Sequence, residues 1–134
     1  MTSTDNPWIP LFITTESFIQ PEQLPESAAE HFLEKAKKAI DSAKKEVTYG
    51  QKISDLIFEN GQTECQKSLA TIGVWHYECG IELLHKAVRN FEKAKERELT
   101  RDVQKEVEAQ IKECKKQLPL VIKQKDMINE FLKS

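Results

Sequence analysis

Four glycines in 134 residues, spread singly, are too few for a sandwich or barrel, which needs turn residues every 8–12 positions or so. Three cysteines, Cys65, Cys79 and Cys114, make neither an even set nor a C-x-x-C pair, so no disulfide framework is expected. All three fall inside helical patterns and read as buried free thiols. Twenty basic against 22 acidic residues leave a formal charge of −2, without the surplus of cations on which counterion release from nucleic acid depends. Nucleic acid is not an expected partner. No run approaches the roughly 20 apolar residues that span a bilayer, and the opening MTSTDNPWIPLF has no basic stretch ahead of a long apolar core. The chain therefore reads as soluble and cytoplasmic. Also missing are G-x-x-x-x-G-K-[ST], G-x-G-x-x-G, H-E-x-x-H and G-x-S-x-G, so no motif points to an enzyme.

What the sequence has instead is helical periodicity, and it predicts an all-α protein, an antiparallel three-helix bundle over residues 27–134. The first helix, about 27–59, opens on the capping box Ser27-Ala-Ala-Glu30. Apolar or small residues then recur in steps of three or four at Leu33, Ala36, Ile40, Ala43, Val47, Gly50, Ile53 and Ile57. Asn60-Gly61 is its stop. The second helix, about 63–95, opens on Thr63-Glu64-Cys65-Gln66 and carries the stripe Leu69, Ile72, His76, Gly80, Leu84, Val88, Phe91 and Ala94. Gly73 and Gly80, seven apart, each cost up to about 1 kcal/mol against alanine in a helix, and close approach of another backbone is the expected compensation. Residues 96–100 connect to the third helix, about 101–131, with Thr100 and Asp102 able to cap it. Its stripe is Val103, Val107, Ile111, Cys114, Leu118, Val121, Ile128 and Leu132, and Pro119 predicts a kink. Helices of this length run about 45 Å and are expected to bury one shared core.

Residues 1–26 differ from the rest. They hold four of the five prolines and four acids, with no Lys or Arg, and so carry a charge of −4 against +2 for the remainder. Proline restricts itself and its predecessor to extended or turn conformations. Trp8, Ile9, Leu11, Phe12, Ile13, Phe18, Ile19 and Leu24 are too many apolar side chains for a solvated tail. An extended arm lying along the helices is expected, with Trp8, Phe12 and Phe18 as anchors.

The residues that invite chemistry do not assemble into a site on spacing alone. His76 and Cys79 are one turn apart but give only two metal ligands; His85 falls on the far side of the helix and Cys65 about 16 Å along it. No metal and no cofactor are expected, and His76 reads as a half-buried core histidine. Surface carboxylates read as i,i+4 partners in Glu34-Lys38, Asp41-Lys45 and Glu108-Lys112. The lysines at 112, 115, 116, 123 and 125 are diluted by Glu106, Glu108, Glu113 and Asp126, so membrane contact is expected to be indirect at most.

From Tyr77 the sequence reads YECGIELLHKAV, then an acid- and base-rich connection, then VQKEVEAQIKECKKQLPLVIKQKD. This resembles the second half of a microtubule-interacting and trafficking (MIT) domain, and KAKKAIDSAKKE in the first helix is similar to that family's opening helix. The resemblance covers about 28–45 and 77–126. The long first two helices, Pro119 and the proline-bearing arm depart from the pattern, and no 34-residue repeat of tetratricopeptide type appears. What the resemblance implies is a non-enzymatic interaction module that takes a short helical or extended peptide from an ESCRT filament subunit in an interhelical groove. That would place the protein in membrane trafficking, in the cytoplasm and at the endosomal membrane surface. The groove residues would be Tyr77, Leu84 and Val88 with Val107, Ile111, Cys114 and Leu118. The alternative is a self-associating structural bundle, a homodimer whose second copy covers the apolar groove.

Overall fold

The computed structural model describes residues 28–60 and 64–133. They form three long α-helices: α1 (Ala28–Asn60), α2 (Glu64–Lys95) and α3 (Arg101–Lys133), with no strand among the described residues. The expected anchors Trp8, Phe12 and Phe18, the caps Ser27 and Thr63, and Gly61 lie outside the described residues. Thr100 caps α3 as its sequence position predicts: its Oγ1 accepts from the Val103 amide at 3.3 Å and its carbonyl from the Gln104 amide at 2.9 Å. At the end of α2 the chain tightens, the amides of Glu96 and Arg97 donating to the carbonyls of Lys93 and Ala94 at 3.2 and 3.0 Å.

The helix runs unbroken through Pro119 and two residues beyond the expected end. Pro119 and Lys115, whose carbonyl loses its helical donor, are both exposed, so water can serve that carbonyl at little cost.

α2 is the central element. Both α1 and α3 pack along it, more closely than they approach one another, and the three helices bury one shared core, as expected. The α1 stripe is buried from Leu33 to Ile57, with Ile53 half-exposed, and Val103, Val107, Ile111, Cys114, Val121 and Ile128 are buried on α3. Ile72, expected on the buried stripe of α2, is exposed.

The α1–α2 seam is built on glycine. A Cβ added at Gly80 would lie 2.7 Å from Val47 Cγ2, one at Gly50 would lie 3.0 Å from the Tyr77 ring, and one at Gly73 would lie 3.0 Å from Ile53 Cγ2 and 3.2 Å from Ile128 Cδ1. The nearest approach at each glycine is made by a side chain, so each is the hole for a knob on a neighbouring helix, and at Gly80 the backbone carbonyl of Ala43 also comes within 3.7 Å of the added Cβ. Gly73 receives one knob from α1 and one from α3, and Phe58 of α1 meets Phe131 of α3 edge to face at 6.2 Å. The three helices thus converge at the end holding the C-terminal turns of α1 and α3. At the other end Phe32 of α1 is flanked by Lys93 and Arg97, 5.6 and 5.5 Å from its ring centre.

The three expected i,i+4 ion pairs do not close. Glu108 turns instead to Lys95 of α2 at 3.7 Å, and Lys95 and Lys133 also pair with Glu92 and Glu130 of their own helices. Exposed lysine and glutamate gain too little from such a contact in water to offset the rotamer freedom that it removes.

Gly80→Ala tests the seam. Helix propensity alone would stabilise the variant by about 1 kcal/mol. Fully buried Val47 is stiff at χ1 and cannot yield, so the overpacking wins and the variant loses about 1–2 kcal/mol net. In Gly80→Ala/Val47→Ala the loss at position 80 should disappear from the denaturant midpoint; an equal loss in both backgrounds would contradict the knob-into-glycine seam.

Candidate interaction surface

Most of the groove residues implied by the MIT resemblance belong to the core, and Tyr77 belongs to the α1–α2 seam, with its ring over Gly50 of α1. Tyr77, Leu84, Val107 and Cys114 are fully buried or nearly so, Ile111 is buried, and only Val88 and Leu118 are half-exposed. A ligand can touch the five buried residues only if the helices part. The hydroxyl of Tyr77 lies 3.3 Å from that of Ser54 on α1, a bond between two buried groups that ties the seams together. Gln117, one helical turn on from Cys114, is 1% exposed, and neither end of its amide meets a protein partner.

Burial sets the acid–base behaviour of this interior. It pushes the Tyr77 phenol up to about 12, opposed by the Ser54 hydrogen bond and helped by the Asp55 charge. It pushes the Cys114 thiol up to about 12 as well, with the Glu113 charge adding to the effect. Cys79, half-buried on α2, is also raised, first by desolvation and then by Glu46, Glu82 and Glu78, so it stays a thiol rather than a thiolate nucleophile. Cys65 is exposed, so only Cys114 of the three is the buried thiol expected from helical position.

His76 is half-buried, and its Nδ1 lies 2.7 Å from Glu46 Oε1 on α1. The carboxylate can only accept, which places a proton on Nδ1. The ring also meets Tyr49 of α1 at 5.3 Å and Trp75 at 4.9 Å between centres. Among the described residues no three His, Cys, Asp or Glu side chains converge as a metal site, and no helix is long and apolar enough to cross a membrane.

The surface feature with no counterpart in the sequence reading is an apolar end. Tyr49, Leu56 and Phe58 on α1, Ile72 and Trp75 on α2, and Ile122 and Met127 on α3 are the large hydrophobic side chains exposed among the described residues. All seven lie at the end where Gly73 joins the helices; the half holding Phe32, Leu84 and Val107 exposes none. Trp75 is 56% exposed and Tyr49 50%, with His76 between them. Lys45, Tyr49, Lys52 and Leu56 follow one another at steps of four, three and four along one exposed face of α1, so cations alternate with apolar side chains. A strip of this kind offers area and orienting charge to a partner, which is the usual makeup of an interaction surface rather than of a reaction site.

The buried phenol and thiol predict the alkaline limb of stability. Both folded-state values lie above the unfolded ones, 10.0 for Tyr77 and 9.0 for Cys114, so the full contribution is present below pH 9 and is lost as pH rises toward 12. The limit is about 1.4 kcal/mol per pH unit for each group. Tyr77→Phe should flatten the fall between pH 10 and 12 by about 1 kcal/mol per unit in urea titrations, and parallel curves for wild type and variant would contradict it.

Comparison of the chain with known protein families, with curated proteins and with solved structures finds no match in any of the three.

Proposed function

We propose that the protein is a non-enzymatic interaction module, and that the face through which it takes a partner is the apolar end of the α1–α2 hairpin. The observation that carries this reading is the segregation of exposed Tyr49, Leu56, Ile72 and Trp75 to one end of a bundle whose other half keeps its large apolar side chains covered among the described residues. Aromatic side chains ringed by charge are what interface hot spots are made of. The order of contacts supports an antiparallel bundle: Val47 with Gly80, Gly50 with Tyr77 and Ile53 with Gly73 run in opposite directions on α1 and α2. Three antiparallel helices together with the MIT-like YECGIELLHKAV support a peptide of helical or extended form as the ligand, with an ESCRT-type subunit at the endosomal surface as its source. Relative to the groove implied by that resemblance, the proposed face is displaced from the α2–α3 seam to the outside of α1 and α2.

A second copy of the chain is the other occupant that an apolar end favours. Sedimentation separates the two, because a monomer at tens of micromolar removes self-association. C-terminal peptides of ESCRT filament subunits are the ligands to titrate. Trp75→Ala and Leu56→Asp should each weaken binding at least about tenfold, the loss typical of a central hot spot. Both are exposed positions, so thermal unfolding should shift by no more than about 2 °C. No binding of wild-type protein at millimolar peptide, or binding indifferent to both variants, would contradict the proposal.

A further inference from the structure

We infer that the α1–α2 hairpin carries a second docking surface, a row of cations in the half that holds Phe32 and Leu84, which receives an acidic helical segment of a partner protein. This surface is separate from the apolar end and stands whether or not that end takes a peptide.

Lys86, Arg89 and Lys93 follow one another on α2 at steps of three and four, and Arg97 joins them from the turn that closes the helix; all four are exposed. Like charges at these spacings repel and weaken a helix. Lys93 and Arg97 answer the negative end of the α2 dipole, but Lys86 and Arg89 lie too far inside the helix to do so. The row runs beside α1. There the Phe32 ring lies 5.6 Å from Lys93 Nζ and 5.5 Å from Arg97 Cζ, which brings two like charges together around one ring. Exposed Lys35, one turn on from Phe32, adds a fifth cation from α1. Further along, Glu46 of α1 and Leu83, Lys86 and Arg89 of α2 line a cavity of about 630 Å³ between the helices.

The groove holds too little negative charge to answer this row. Glu46 is bonded to His76, and Glu82, one turn before Lys86, is the other acid of the cavity. Glu92 turns to Lys95, and Glu96 and Glu98 flank Arg97 in sequence without pairing with it. None of the five cations forms an ion pair among the described residues. The whole chain carries −2, so the row is a local positive field and not the overflow of a basic protein.

The complement is a row of carboxylates. On one face of a helix they recur at the same three- and four-residue steps, about 5–6 Å apart, so an acidic helix along the row sets a carboxylate against each cation. A bilayer fits less well, because the large exposed apolar side chains that would enter it are all at the other end. Single-stranded nucleic acid would stack its bases on exposed aromatic rings, and among the described residues this half exposes no large hydrophobic side chain.

A labelled alanine-based helix with glutamates at three- and four-residue steps is the probe, titrated by fluorescence anisotropy against the full chain at about 50 mM salt, where screening is weak. The same peptide with glutamine for glutamate, an oligothymidylate and phosphatidylserine vesicles are the competing chemistries. The glutamate peptide should bind, and Lys86→Gln/Arg89→Gln/Lys93→Gln, which alters only exposed positions, should weaken it at least about tenfold with unchanged helical circular dichroism. Lys112→Gln/Lys115→Gln/Lys116→Gln removes the same charge from an exposed part of α3 and should keep the affinity within about twofold. Equal losses in the two triple variants, equal binding of the glutamine peptide, or no binding of the glutamate peptide at millimolar concentration would each overturn the inference. Tighter binding of the oligonucleotide or the vesicles through the same three cations would overturn it too. Trp75→Ala should leave the titration unchanged; a loss there matching that of the α2 triple variant would place the peptide on the apolar end instead.

Discussion

The absence of a Cβ at Gly80, where Val47 seats its methyl, is the constraint on which the other contacts depend. With Gly50 under the Tyr77 ring and Gly73 under Ile53 and Ile128, it lets α1 and α2 interdigitate from Val47 to Ile53 against Gly80 to Gly73. Each glycine costs about 1 kcal/mol of helix propensity, and the dense packing of fully buried Val47 and Tyr77 offsets that cost. Once the seam closes, the Tyr77 hydroxyl meets Ser54, the His76 imidazole reaches Glu46, and α2 presents its other side to α3. The α2–α3 seam is aliphatic by comparison, with Leu84, Val107 and Ile111 at its centre and a single cross-helix ion pair from Lys95 to Glu108.

This division of labour also produces the asymmetry of the surface. Both outer helices pack more closely on α2 than on one another, and they meet near Gly73 and at the Phe58–Phe131 pair. Aromatic and aliphatic residues gather at that convergence, and those that do not fit inside remain outside it. In the other half the stripe residues are small or slender, alanines at 36, 39, 43, 87 and 94 among them, and the seams swallow them whole. A surface so divided has one face suited to a partner and one suited to water.

The helices themselves were legible. Their stripes and the Thr100 cap follow from three- and four-residue spacing and from local backbone chemistry, which the tertiary fold leaves intact. The candidate face was less so. Ile72 continues the α2 stripe in spacing, yet helical drift across a 32-residue element carries it out of the contact, because a straight α-helix does not keep a strict 3.5-residue repeat. Tyr77 looked like the wall of a groove because its family resemblance names it so, but a glycine 27 residues earlier turns it inward, and no local pattern records that pairing. The Glu46–His76 bond spans 30 residues and is hidden in the same way. One signal was available: Gly50, Gly73 and Gly80 recur at positions where a helix would ordinarily prefer alanine, and three such costs in two adjacent helices point to the elements that touch most closely.

The central claim is that the α2–α3 seam is closed core and that recognition takes place outside it, on the α1–α2 hairpin. Native-state hydrogen exchange along α2 and α3 tests this most directly, since it reads the free energy of separating one helix from another. The account predicts that amides from Val107 to Leu118 exchange with the same free energy and denaturant dependence as those from Tyr77 to Leu84, through global unfolding alone. Exchange of the α3 amides through a low-energy opening, while α1 and α2 stay protected, would uncover Val107, Ile111 and Cys114 to a ligand and contradict it.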